Sequence, residues 1–271
     1  MQSNLAIVGI TRFSVVGAPH LFVATSDRSQ DEADRIIFAP ERMRARFQLF
    51  ETLTLPSIDV IAKRYARFRY LILISDALPL FWQARLAAST SYRPWCRVLR
   101  LAREERVSIC ARKAAADFAN GAPLFSFRID DDDALSANYL DALVAHVDIA
   151  PSLSLSFAEG IYLRMSDFAA FAARRPLVAI GLEYLAPNTD RTIFDLGPHR
   201  TIPERGTGVI EVSGGPYWIR SVHSSNDSDC ARAFDRPQRF LTHHALGEIL
   251  RKYFPHIRLG QRLNCVRDRI R

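Results

Sequence analysis

The segment that most constrains this chain is RYLILIS, residues 69–75, an almost unbroken apolar run that stops at Ser75 and Asp76. A strand with one wet face alternates apolar and polar residues, whereas one that is apolar at nearly every position needs cover on both faces. That cover is supplied most simply by helices packed on a parallel sheet. The flanking sequence fits. LAIVGITRFSVV reads as a first strand, and the polar stretch with Asp27, Asp31, Glu32 and Asp34 reads as a loop. Apolar positions at Phe47, Phe50, Leu53, Leu55, Ile58 and Ile61 predict a helix from Met43 to Lys63, broken or kinked near Leu55 by Pro56. After RYLILIS, Pro79 opens a helix to about Ala88, CRVLRL is a short strand, and Ser108 caps a helix that Asn120 and Gly121 end. LFSFRI, a helix from Ser136 to about Val147 and a strand SLSLSFAEGIYL follow.

This alternation predicts an α/β fold with a mostly parallel, twisted sheet and helices on both faces. Ligands of such sheets bind beyond the carboxyl ends of the strands, so the loops after Ile10, Ile74 and Ile129 are where chemistry is expected. Beyond Pro176, LVAIGLEYLA and GVIEVSGGPYWIRSV read as strands and Thr242 to Tyr253 as a helix. No internal repeat or long linker divides the chain. It reads as a single domain, with a nucleotide-binding half (1–150), an acceptor-side half (151–241) and a basic C-terminal helix and tail (242–271).

With 271 residues, 48% of them apolar, the chain can bury a large core, and its apolar runs are shorter than the ~18 residues of a membrane span. Its four cysteines show no CxxC spacing, and MQSNLAIVGI lacks the pattern of a secretory signal, so a reducing cytoplasm is expected. Of the net charge of +7, +6 lies between Arg251 and Arg271. A tail of this kind predicts peripheral contact with acidic lipid at the inner face of the membrane. No aromatic platform is interleaved with the arginines, which argues against a nucleic-acid partner.

The strongest chemical signal is FRIDDDDAL, where a buried strand ends in Asp130, Asp131, Asp132 and Asp133. Four adjacent carboxylates raise one another's pKa unless cations or hydrogen-bond donors compensate, and a divalent metal is a natural compensation. A calcium hand is excluded, because the sixth loop position counted from Asp130 is Leu135 where glycine is needed. An aspartyl-phosphate phosphatase would carry its acids after the first strand, with a threonine close behind. His223, in VHSSNDS, is a second candidate ligand, in a small polar loop suited to a diphosphate.

TRFSVV, LFETLTLPSI, LILISDALP, FRIDDDDAL and VHSSNDS together resemble the bacterial putative rhamnosyltransferase family, within the nucleotide-sugar glycosyltransferases of the GT-A fold, over residues 8 to 230. The resemblance implies a GT-A-like sheet whose DxD motif follows the fourth strand. It implies that Asp130 faces the ribose or the metal's water shell and that Asp132 ligates the metal, with Asp131 and Asp133 able to exchange roles with them. Thr11, Arg12 and Asp76 are then similar to base and ribose contacts, and Arg112 to the arginine that braces the base or the motif.

The expected activity is transfer of a sugar from a nucleoside diphosphate sugar to a carbohydrate or glycolipid acceptor, assisted by Mn²⁺ or Mg²⁺ held by Asp130, Asp132 and His223. An inverting hexosyl transfer needs a carboxylate base, and among Glu159, Glu183, Asp190, Asp195, Glu211 and Asp227 the loop residue Asp195 is favoured. Phe194, Tyr217 and Trp218 are candidate walls of the acceptor site. Two other functions remain open on sequence. One is a non-catalytic sugar-nucleotide or glycan-binding protein of the same fold; the other is a metal-dependent phosphohydrolase or nucleotidyltransferase.

Overall fold

The structure, a computed structural model, describes residues 4–16, 28–146, 153–197, 199, 202, 208–224, 226 and 230–257. Four parallel strands form its centre: β1 (Ala6–Arg12), β2 (Phe68–Ser75), β3 (Cys96–Leu101) and β4 (Leu124–Arg128). In β2, Tyr70, Ile72 and Ile74 join one buried cluster while Leu71 and Leu73 join another on the opposite face. The unbroken apolar run is thus two interleaved half-patterns, each with its own helical cover.

One face is covered by α2 (Pro40–Leu49), a π-helical turn (Phe50–Thr54) and α3 (Leu55–Ala62). The expected kink is therefore a π turn within one continuous helical path. Pro56 has no N–H to offer the preceding turn, and the widened turn accommodates the mismatch. The other face is covered by α5 (Val107–Ala119), which ends with Asn120 in the left-handed conformation (φ 47°). α4 (Leu80–Thr90), with Pro79 at its N-cap, connects β2 to β3.

Three further strands extend the sheet: β6 (Leu153–Phe157), β9 (Leu182–Ala186) and β10 (Val209–Val212). The seven strands run in the order β10-β6-β9-β4-β1-β2-β3, and only β9 is antiparallel to its neighbours. A second, four-stranded sheet, β5-β11-β7-β8, is built from β5 (Ala134–Leu135), β11 (Trp218–Val222), β7 (Glu159–Arg164) and β8 (Ala170–Arg174). α7 (His243–Tyr253) packs Leu246 and Leu250 against it.

Several expectations are corrected. SLSLSFAEGIYL is two strands, β6 and β7, which part at Ala158 into different sheets, and GVIEVSGGPYWIRSV likewise divides into β10 and β11 at a cis Gly215–Pro216 bond. The sheets are joined at Trp218, whose indole N–H donates to the Phe157 carbonyl (2.6 Å) and whose ring lies against Gly160, where a Cβ would collide with it. The stretch read as a loop contains α1 (Gln30–Ile37), whose start is set by Glu32 accepting from the Ser29 N–H (3.0 Å) and hydroxyl (2.9 Å). Ser108 lies inside α5, whose N-cap is Arg106. The helix expected from Ser136 is shorter, α6 (Tyr139–Val144), because Ser136 is drawn to the second sheet, its N–H donating to the Tyr217 carbonyl (2.8 Å).

Candidate functional site

From β1 the chain proceeds to β2 and β3 on one side, whereas β4 lies on the other. The carboxyl ends of β1 and β4 therefore flank the point where the strand order reverses, the usual crevice for a ligand in an open α/β sheet. Arg12 ends β1, Arg128 ends β4, and Asp130–Asp133 form the turn beyond β4. Thr11 sits beneath that turn. Its side chain is fully buried, and its hydroxyl donates to the Ile129 carbonyl (2.8 Å) while lying 2.5 Å from the Tyr70 phenol. It anchors the turn from within the sheet.

The four carboxylates point two ways. Asp131 is completely buried and receives a two-pronged contact from Arg46 of α2, through Nε (3.0 Å) and Nη2. Asp133 is also buried; its carboxylate oxygen accepts the Ser221 N–H of β11 (3.0 Å), and its carbonyl accepts the Thr54 hydroxyl (2.7 Å). Burial, reinforced by the neighbouring charge of Asp132, pushes the Asp133 carboxyl well above the usual range. These two residues fasten the turn to α2, the π turn and the second sheet.

Asp130 and Asp132 have other partners, and of the two only Asp130 is partly open, Asp132 being buried. The Asp130 side chain is 31% exposed, with Arg128 Nη2 3.4 Å away. Burial opposes its charge, but Arg128 and Arg12 hold its pKa below the usual carboxylate range. Asp132 Oδ2 lies 3.0 Å from His223 Nε2, 3.2 Å from Asn226 Nδ2 and 3.2 Å from Arg46 Nη1. Burial works against its ionisation as well, yet Arg46 and His223 keep it charged, well below the ordinary range.

The chemistry of this donor set fits a small divalent cation. Asp132 Oδ2 and His223 Nε2 offer one carboxylate oxygen and one imidazole nitrogen at 3.0 Å from each other. That is the spacing of two adjacent ligands that each sit at about 2.1 Å from one ion. Among the described residues no group of three His, Cys, Asp or Glu side chains forms such a cluster.

The remaining expected site residues fall in different places. Asp76 stands exposed just beyond β2. Arg112 Nη1 donates to Asp195 (2.9 Å). Asp195 is also taken up at the start of a short 3-10 turn (Ile193–Leu196), accepting the Thr192 N–H (2.8 Å) and hydroxyl (3.1 Å). Both of its oxygens are thus engaged in this structure. Tyr217 and Trp218 are buried core residues, not acceptor walls, with the Tyr217 hydroxyl donating to the Ser213 carbonyl (2.9 Å). Glu159 accepts the Gly214 and Gly215 N–H groups, Glu211 pairs with Arg174, and Glu183 is fully buried. Asp227, Ser225, Ser228 and the tail beyond Ile257 lie outside the described residues.

Sequence reasoning missed Arg46, Arg128 and Arg220. Four acids in a row signalled that cations must be near, but nothing local marks Arg46, 85 residues upstream of its partner. Arg128 could have been found, since it sits two residues before Asp130 at the end of the same strand.

The sequence profile of the family described as putative rhamnosyl transferase matches residues 6–234. No curated protein matches the sequence. Among solved structures, TarS residues 1–349 of S. aureus in complex with UDP is similar at 10% identity and a TM-score of 0.41, covering 80% of this chain and 61% of that one. The inositol-1-phosphate CTP transferase of T. maritima is similar at 9% identity and a TM-score of 0.40, covering 93% and 97%. The chain thus spans about 61% of the TarS fragment.

Proposed function

Because the chain belongs to the putative rhamnosyl transferase family, we propose that it transfers a sugar from a nucleoside diphosphate sugar to a carbohydrate or glycolipid acceptor, with Mn²⁺ or Mg²⁺ held by Asp132 and His223. The observation that carries this reading is the convergence of Asp132 and His223, from opposite sheets, at the reversal point of the strand order. When bound, the ion supplies Lewis-acid stabilisation of the negative charge that develops on the departing diphosphate. Asp132 is ionised and oriented for this work by Arg46, and Asn226 steadies the His223 loop by accepting the His223 N–H (2.7 Å). Asp130, partly exposed beside Arg12 and Arg128, faces the ribose side, and Asp76 offers a carboxylate to a base N–H beyond β2.

Hexosyl transfer with inversion belongs to the same proposal, with Asp195, oriented by Arg112 and Thr192, as its base. So does peripheral contact with acidic lipid through the basic tail. No helix among the described residues is long and apolar enough to cross a membrane.

The test is product identification after incubation with Mn²⁺ and a panel of UDP-, GDP-, dTDP- and CMP-sugars. The expected products are a free nucleotide and a glycoside or free sugar, with turnover falling at least about a hundredfold in Asp132→Ala. Release of a sugar phosphate would instead indicate phosphate-bond chemistry. Undiminished turnover in Asp132→Ala would remove the proposed metal site.

A further inference from the structure

Arg12 and Arg128 end two adjacent parallel strands, with Arg128 in register with Ile10, and both guanidinium groups lie over a single aromatic ring. The Phe194 centroid is 5.8 Å from the Arg12 guanidinium carbon and 5.4 Å from that of Arg128. Phe194 reaches this position because its 3-10 turn is fixed at three points. Asp195 caps the turn through Thr192, Arg112 holds Asp195, and the Ile193 N–H donates to the Ser126 hydroxyl of β4 (2.8 Å). The Arg112–Asp195 pair is therefore a support for the ring.

Two cations on one ring repel each other unless an anion lies between or beside them. Asp130 is a carboxylate on which Arg128, Arg12 and Arg220 all act. The Arg128 side chain is only 16% exposed, and its Nε is buried with no hydrogen-bond partner. A buried guanidinium N–H without an acceptor is costly, and an incoming oxyanion would satisfy it.

We infer that Arg128, braced with Arg12 on the Phe194 ring, is a binding residue for the diphosphate of the donor, supplying an anion contact separate from the metal ligands. This rests on the nucleotide-sugar reading of the site. It deepens that reading by dividing the donor's recognition: Asp132 and His223 act through an ion, whereas the arginine layer acts on phosphate oxygens directly. Part of the affinity for a diphosphate then survives without any divalent ion and falls with added salt.

The experiment is calorimetric titration, in EDTA and at two salt concentrations, of the wild type, Arg128→Met, Arg128→Lys and Phe194→Leu with UDP, GDP, CDP and dTDP and with the matching nucleosides. The expected result is that at least one diphosphate binds the wild type more tightly than its nucleoside. Arg128→Met weakens that diphosphate at least tenfold and flattens its salt dependence while leaving the nucleoside unchanged. Arg128→Lys recovers part of the loss, and Phe194→Leu loses severalfold because the ring no longer fixes the fork. Should Arg128→Met fail to fold, the last two variants carry the same test. Diphosphate affinity unchanged by these substitutions overturns the role of Arg128 and leaves the nucleotide-sugar reading standing. A wild type that binds none of the diphosphates, with or without Mn²⁺, overturns both.

Discussion

The two sides of the Asp130–Asp133 turn are built from the same residue type and do opposite jobs. On the inner side Asp131 and Asp133 are buried and saturated by Arg46, Ser221 and the protein's own packing. On the outer side Asp130 is partly open, while Asp132, itself buried and sharing Arg46 with Asp131, meets the buried His223 side chain that follows the second sheet. An aspartate run of this kind is therefore half foundation and half site. The inner pair makes the outer pair rigid, and rigidity is what lets a few side chains hold an ion or a diphosphate in one geometry.

The comparison breaks most visibly at Arg46. Replacing it with methionine leaves Asp131 buried without its counter-charge, and chemical denaturation should show a loss of about 3–5 kcal/mol. A loss below about 1 kcal/mol would mean that the inner side is not the anchor described. Asp130→Asn, on the outer side, should by contrast cost only about 1 kcal/mol, the worth of a partly exposed ion pair.

Between these extremes lies a pH effect that arises away from the turn. His256 follows α7, and both of its ring nitrogens are buried without hydrogen-bond partners. Burial lowers its pKa from 6.5 to about 4, with Asp59 opposing the shift. Above pH 6.5 the imidazole is neutral in folded and unfolded chains alike. As pH falls toward 4 the unfolded chain takes up a proton that the folded one refuses, so stability present above 6.5 is lost across that window. With partial exposure allowed for, the loss is about 1–2 kcal/mol. His256→Gln should flatten the stability–pH curve between pH 6.5 and 4, and a curve of unchanged slope would place the acid sensitivity elsewhere.

Much of the fold was legible because β1, β2 and β4 are covered on both faces, and two-sided burial writes itself into a strand as continuous apolar sequence. The switch between sheets was not. At Ala158 the chain leaves one sheet for the other with buried residues on either side, so no change of composition marks the crossing. α1 was missed although Ser29 and Glu32 spell its capping box, because the surrounding charge drew the reading toward a loop. In the site, the quartet and His223 stood out as residue types in unusual company. What each carboxylate does depends on Arg46 and Ser221, which only the fold brings near, and sequence adjacency alone could not separate Asp131 from Asp132. For a related reason the sequence does not reveal that Arg112 and Thr192 hold Asp195 in place.

The central claim is that the outer side of the turn, through Asp132 and His223, holds a divalent ion that engages a diphosphate. Electron paramagnetic resonance of Mn²⁺, titrated with wild type and Asp132→Ala in the presence of UDP, GDP, CDP or dTDP, tests it most directly. The account predicts that the free-ion signal falls with wild type and diphosphate together, and returns in the Asp132→Ala variant while its circular dichroism stays that of the folded protein. An equal loss of signal in both proteins, or none in the wild type, would contradict it.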